Sequence, residues 1–585
     1  MTPRRVHGAH QRSGSWSYLA PFIGYILLTV IFTWPLVLRM KDSVVGQIGD
    51  NVYFVWLFGW FDKALFTLHR SPFVVPQLNY PEGWSLAHTE IVPSVLALGL
   101  PFSRMLGPVF AYNFALLLTF VLSGFFTFLW AKDLTGDPWA ALFAGTAFAF
   151  VPYRVAHFLS GHLNLASTMW FPLFFWGFVG WLSDREVRRK YLLLTGIGLG
   201  LIALTSMYYL YMTGIVSAIG GLLFLLVRDR RRLLSRRFWY QAAIVALCAA
   251  PLVLLGVLPF VQLESQGGLA SRDVQSVTSG SASLSDFLLP STDHFLWGSW
   301  VSAHFARDHW MEGTLYIGVV VAGLATLAFL RRRGLSENQR DAVLLLGFLA
   351  LTGLALALGT YFHWNEQPVS LILPKTLQGL LHREHISLRM PGYYLFQYVP
   401  FYSRMRVFKR FAVFVLLATS VAGGIGLGWA RRRIGSRWAD ALTILLLAAM
   451  LFEFFPGQFR EFARIAPRPV DVWLAAQPGQ GAVAQFPFSQ EADQIQIYYT
   501  LAHGKPYLGG FFNAFPPRQF KRIAPVMAGF PDAASVGLLR QLGVVYVLVD
   551  RGATPDIEAV RAGMTYEGLE YQTTQGDQMV FTLAK

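Results

Sequence analysis

WSYLAPFIGYILLTVIFTWPLVL, residues 16–38, runs into RMKDSVVGQIGDNVYFVW, residues 39–56, and the reading of the whole chain starts there. The apolar part is longer than the roughly 7–15 residue core of a signal peptide and has no Ala-x-Ala site behind it, so it is expected to be retained as a membrane-crossing helix. A short polar segment follows, then an acidic residue, Asp50, and then a second apolar run dense in aromatic residues.

Runs of this kind recur along most of the chain. A helix needs about 20 apolar residues to cross a hydrocarbon layer of roughly 30 Å. Helices are expected near 17–39, 110–131, 139–156, 165–183, 190–206, 208–227, 240–262, 313–330, 342–361, 410–430 and 438–455. The composition agrees: 54% of the 585 residues are hydrophobic, 15% aromatic and 14% charged, with mean hydropathy +0.44. A soluble core of this size does not need so much apolar surface. The expected class is mainly α, a polytopic transmembrane bundle of about eleven helices in a cell (inner) membrane. The net charge of +15 would suit nucleic acid, but the cations fall in short clusters between apolar runs, which is a topology signal and not a nucleic-acid footprint. The lone cysteine, Cys248, lies inside an apolar run and excludes a disulfide framework.

Those clusters set the orientation. With the N-terminus in the cytoplasm, the inner segments hold Arg4, Arg5 and Arg12; Lys132; Arg185, Arg188, Arg189 and Lys190; Arg228 to Arg237; Arg331, Arg332, Arg333 and Arg340; and Arg431, Arg432, Arg433 and Arg437. The short loops opposite hold only Arg154. The Lys/Arg bias of short loops then places three long loops, 40–108, 263–312 and 362–409, outside. Residues 90–106 are apolar enough to cross but carry Pro93 and Pro101, and counting them as a span would turn every later cluster outward. They read as a re-entrant or interfacial helix, like the Trp-rich stretch 51–68 before them, so that loop 40–108 lies on the membrane surface. Residues 1–456 therefore form the membrane domain. After Phe455, short apolar strands at 482–486, 544–549 and 579–583 and a helical stretch at 534–542 describe a small extracytoplasmic α/β domain, 457–585.

Only Glu453 is an ionisable residue well inside an expected span, which argues against an ion-coupled transporter. Polar candidates collect at outer helix ends. Asp50, in Gly49-Asp50-Asn51, reads either as the cap of the following helix or as a carboxylate general base in a partly dry site. The run Arg404-Met405-Arg406-Val407-Phe408-Lys409-Arg410 enters a helix from outside, against the charge rule. Its guanidinium groups suit a lipid phosphate or pyrophosphate; the alternative is snorkelling onto anionic headgroups. His88 and Glu90, His157 and His162, Asp286 and Glu312 are scattered through the outer loops. Such ligands could hold a divalent cation between loops, although no metal-spacing motif is complete within any one of them.

This order of features resembles the GT-C superfamily of polyprenyl-phosphate-sugar-dependent glycosyltransferases, and most nearly its YfhO-type and mannosyltransferase-like bacterial members. The resemblance covers the helical region as architecture, and its motifs are short. It implies that Asp50 is the catalytic base, that the transfer is inverting, and that a polyprenyl-phosphate-linked sugar is the donor. Many members carry a second acidic residue beside the first and His-Pro before the interfacial helix; here Asn51 follows Asp50, and the comparable place reads His88-Thr89-Glu90. Arg404, Arg406 and Arg410 would hold the departing phosphate, Glu90 is a second candidate carboxylate, and Tyr53, His88, His162 and Glu312 would line the substrate site with Trp84 and Trp297 nearby. The acceptor would be a glycan, lipid or protein hydroxyl outside the membrane. The competing readings are a lipid-linked-glycan flippase or exporter, which should line its helices with polar residues, and a non-catalytic assembly protein.

Overall fold

The computed structural model describes residues 16–184, 186–265, 272–307, 310–376, 378, 384–512 and 516–583. Arg4, Arg5, Arg12 and Arg185 lie outside the described residues. The chain is mainly α. The helices of its bundle are α1 (Trp16–Phe32), α4 (Pro108–Thr135), α5 (Pro138–Ala149), α6 (Pro152–Leu159), α7 (Leu163–Ala166), α8 (Trp170–Ser183), α9 (Arg189–Ala203), α10 (Met207–Arg228), α11 (Arg236–Ser265), α12 (Val319–Leu330), α13 (Glu337–Ala357), α14 (Ala412–Arg431) and α15 (Ser436–Phe454). Among the described residues, seven helices, counting α5 with α6 and α7 with α8, are long and apolar enough to cross a membrane; α1 and α12 are apolar but shorter. This is a multi-pass membrane protein. Two stretches expected as single helices are broken: α5 ends before Pro152, which opens α6, and α7 is separated from α8 at residues 167–169. A proline has no N–H to donate and fits the first turn of a new helix better than the middle of an old one.

The basic clusters gather at one end of the bundle. There Arg228 reaches Asp341 and Glu337, Lys190 reaches Asp133, Arg431 reaches Asp137 and Asp440, and Arg232 donates to the carbonyls of Trp181 and Leu182. The exception on the other side, Arg154, is wholly buried and donates to Ala149 O, Ala166 O and Thr119 Oγ1, so it ties α6 to α7 and α4.

At the opposite end lie α2 (Asp50–Asp62) and α3 (Pro93–Leu106). The fourteen residues of α3 give a rise of about 21 Å, too short to cross. The surface-lying position expected for the Trp-rich stretch is not what its packing shows. In α2 every residue from Asn51 to Phe58 is buried, and a helix that is apolar all round belongs inside protein. Below it are α3 and α4; above it is α16 (Gln490–His503) of the C-terminal part. Trp56 stacks with Trp60 and Trp84, and Trp84 meets Phe512 edge-on.

The C-terminal part is joined to the first loop by main-chain pairing. Strand β1 (Ser43–Val45) runs antiparallel to β2 (Phe462–Arg464), with Val44 opposite Ala463. Tyr80 N donates to Tyr507 O, and the Gln519 amide donates to Asn79 O and Tyr80 O. Strands β3 (Ala482–Phe486), β4 (Val544–Asp550), β5 (Leu569–Gln575) and β6 (Gln578–Leu583) form one mixed sheet in the order β5-β6-β4-β3, parallel only between β3 and β4.

Candidate active site

Asp50 owes its place to its neighbours. After β1 the chain turns at Gly46, whose φ of +77° excludes a strain-free side chain, and an added Cβ would lie 2.6 Å from Leu159 O. Asn51 then pins the turn: its Oδ1 accepts from Gly49 N and Val52 N, and its Nδ2 donates to Gln47 O and Val45 O. Asp50 is the first residue of α2 behind the N-cap Gly49, and its carboxylate makes no capping hydrogen bond to that helix end. The capping reading of Asp50 is therefore corrected: the amide next door shapes the turn, and the Asp50 carboxylate stays 45% exposed.

Opposite it is the link from α6 to α7. Gly161 (φ +71°) lies so close to Asn51 that an added Cβ would sit 2.6 Å from Asn51 Cβ, and this contact brings His162 to Asp50. From there a row of ionisable groups runs inward. His162 Nε2 is 3.5 Å from Asp50 Oδ2, His162 Nδ1 is 3.0 Å from His157 Nδ1, and His157 Nε2 is 3.7 Å from Glu312 Oε2. Arg410 closes the row with Nε and Nη2 donating to Glu312 Oε1 at 3.0 and 2.6 Å. Side-chain exposure falls from 45% at Asp50 to 19% at His162 and 0% at His157. Burial alone would raise the Glu312 carboxyl, but Arg410 overrides it and holds the acid below the usual carboxylate range. His162 is pushed down by burial, against the pull of Asp50 and Glu312.

Glu90 borders the same centre. Its carboxylate accepts from Asn164 Nδ2 and Ser206 Oγ, and burial, opposed by Arg410, lifts it to about 7. The Tyr53 hydroxyl shares a hydrogen bond with Thr89 Oγ1 at 2.8 Å and lies 3.4 Å from Glu90 O, so this buried tyrosine braces the Glu90 segment. A cavity of about 670 Å³ opens beside Asp50 and His162, walled by Trp310 of the second outer loop, Arg460 and Glu461 just before β2, and Gln494 of α16.

A family model described as a domain of unknown function, DUF6311, matches residues 21–422. The chain belongs to the DUF6311 family. The matched region takes in every member of the row, from Asp50 to Arg410. No curated protein matches this DUF6311 chain. Among solved structures, the arabinofuranosyltransferase AftD from Mycobacteria is similar with a TM-score of 0.54 and 14% identity, covering 97% of this chain and 41% of AftD. The oligosaccharyltransferase of Archaeoglobus fulgidus in its apo form is similar with a TM-score of 0.50 and 13% identity, covering 98% of this chain and 75% of that one. The fold is the GT-C fold.

The expected residues do not all converge. Of the three arginines only Arg410 reaches the row. Arg404 lies over the Phe401 ring, and Arg406 is exposed. His88 ends a short helical turn, Leu86–His88, and its side chain lies outside the described residues. Trp84 is buried against Trp56 and Phe512, and Trp297 is 47% exposed. The row is linear, with each group meeting only the next, and among the described residues no set of three or more His, Cys, Asp or Glu is placed to hold a metal ion.

What sequence reading missed in this DUF6311 protein is the device beside the row. Lys409 places Nζ 2.8 Å from both Glu366 oxygens and 4.0 Å from Asp286, which also receives Arg307 at 2.6 Å. All four side chains are buried, and two cations balance two carboxylates. Burial raises Asp286 to about 6 against the lowering effect of Lys409 and Arg307. Adjacent residues thus clamp different carboxylates: Lys409 stitches the second and third outer loops through Asp286 and Glu366, and Arg410 takes Glu312 at the end of the second. A cation pair entering a helix from the wrong side was the visible signal; its carboxylate partners lie tens of residues away.

Proposed function

We propose that this chain transfers a sugar from a polyprenyl-phosphate donor to an acceptor hydroxyl outside a cell membrane, with inversion at the anomeric carbon and Asp50 as general base. The observation that carries the reading is the half-exposed Asp50 carboxylate on the wall of a large cavity, backed by His162 and freed from any capping duty. Attack on the anomeric carbon needs a base at the acceptor oxygen and a cation for the departing phosphate; Arg410 supplies the cation, with Nη1 outside its fork onto Glu312. Glu90 tunes the same centre. The names of the two similar structures, an arabinofuranosyltransferase and an oligosaccharyltransferase, support glycosyl transfer on this fold. In this reading the N-terminus is cytoplasmic, residues 1–456 form the membrane unit, and residues 457–585 roof the site from outside. A YfhO-type or mannosyltransferase-like member of the superfamily fits this arrangement.

The test is purified protein in lipid with a panel of labelled polyprenyl-phosphate sugars and hydroxyl acceptors. One donor should yield transferred sugar and free polyprenyl phosphate in equal amounts. Binding of donors with no consumption of any would reject transfer and favour export of lipid-linked glycans.

A further inference from the structure

The two imidazoles between Asp50 and Glu312 meet through Nδ1 atoms 3.0 Å apart. Two bare nitrogens at that separation repel and two N–H groups collide, so one proton lies between the rings. In a neutral pair that choice fixes both ends. If His157 carries the shared proton, its own Nε2 is bare and the Nε2–H of His162 faces Asp50; if His162 carries it, the polarity reverses. A neutral pair can therefore donate to one flanking carboxylate but never to both. Adding one proton changes this: both Nε2 atoms then bear hydrogen, the Nδ1 proton stays between the rings, and both carboxylates are met.

A second observation points the same way. His157 Nε2 and Glu312 Oε2 are both buried, and neither has a hydrogen-bond partner among the described residues. Arg410 puts both of its donors on Oε1 and leaves Oε2 turned to His157 at 3.7 Å. Buried polar atoms are rarely left so.

We infer that His157 and His162 act as a single proton store for the reaction, neutral before the transfer with His162 Nε2 bare, and holding the released proton as a shared cation between Asp50 and Glu312 after it. The inference rests on the transfer reaction proposed above. In that step the acceptor O–H bond breaks and its electron pair forms the bond to the anomeric carbon. The bond from that carbon to the phosphate oxygen breaks, and its pair stays with the phosphate. The proton passes to Asp50 and from Asp50 to His162 Nε2, so the pair gains one proton and Asp50 is a carboxylate again. When product leaves, the proton returns through Asp50 to water in the cavity. Asp50 is the catalytic residue; His157 and Glu312 are positioning residues that act through it. The groups facing the pair are Asp50, Glu312, the Tyr153 ring edge-on to His157, and the charge of Arg410 nearby.

The test has two arms. Nitrogen-15 histidine spectra of the purified protein should show the two rings taking up one proton jointly, and Glu312→Gln should move that uptake at least one pH unit lower. Independent titration of the rings, or no shift in a folded Glu312→Gln, overturns the shared store, whether or not sugar transfer is found. In the kinetic arm, His157→Gln should lower kcat about 10- to 100-fold with donor KM unchanged, and should remove the multi-proton curvature of the solvent-isotope inventory. A parental kcat and inventory in His157→Gln overturns the role in the reaction. No transfer by the parent enzyme, with joint uptake intact, rejects the transfer reading and leaves the pair standing.

Discussion

Asn51→Asp is nearly isosteric, yet the structure predicts that it damages the protein. Asn51 is 1% exposed and makes four hydrogen bonds. Two of them use Nδ2 as donor, to Gln47 O at 2.8 Å and to Val45 O at 3.5 Å. A carboxylate cannot donate, so one full-strength bond worth about 1 kcal/mol is lost and two carbonyls are left facing a buried anion, an unsatisfied group costing about 1–3 kcal/mol. The expected loss is about 2–4 kcal/mol at pH 8. The new acid is buried, so its folded pKa is raised above the unfolded value; the folded state then holds an extra proton between those two values, and stability falls as pH rises through that window. Thermal unfolding of parent and variant at pH 5 and pH 8 measures this. An Asn51→Asp variant as stable as the parent at pH 8, or less stable at pH 5 than at pH 8, would refute the role assigned to the amide.

Gly161→Ala should separate the link between α6 and α7 from Asn51, because its Cβ has nowhere to go at φ +71°; we expect a destabilisation of about 1–3 kcal/mol, and a parental melting temperature would contradict the close approach. Glu90 has an ordinary value of 4.5 and is lifted to about 7, so the folded protein holds an extra proton in that window and stability should fall as pH rises through it. In Glu90→Gln that slope should flatten, and an unchanged slope would assign it elsewhere. Cysteines placed at the exposed positions Lys41 and Ala533 should react with an impermeant thiol reagent in intact cells, and one at Leu234 should not. The reverse pattern would invert the orientation.

Helix positions were legible because apolar runs of membrane length leave little choice, and the two-sided charge pattern has a structural counterpart in the ion pairs that collect at one end of the bundle. The breaks at Pro152 and at residues 167–169 are local events inside runs whose average hydropathy hides them. The burial of α2 was not legible, since nothing within 50–62 tells that α16, more than 400 residues later, will cover it. The same limit applies to strand β5, whose sequence LEYQTTQ is polar and half-exposed at the sheet edge. At the site, Asp50, His162, Glu90, Glu312 and Arg410 could each be nominated from outer-loop position. Their order could not: that Glu312 takes Arg410, and that Lys409 takes Glu366, is decided by pairings that cross loops. Asn51 reads from sequence as a departure from an acidic pair, and only its hydrogen bonds show why an amide is required there.

The most direct test of the central claim is turnover of Asp50→Asn, measured beside donor binding and thermal stability on one preparation. Because Asp50 caps nothing, the variant should fold and bind donor as the parent does. Loss of the base should lower kcat by about 10² to 10⁴. Sugar transfer at the parental rate by folded Asp50→Asn would remove Asp50 from the chemistry and contradict the account.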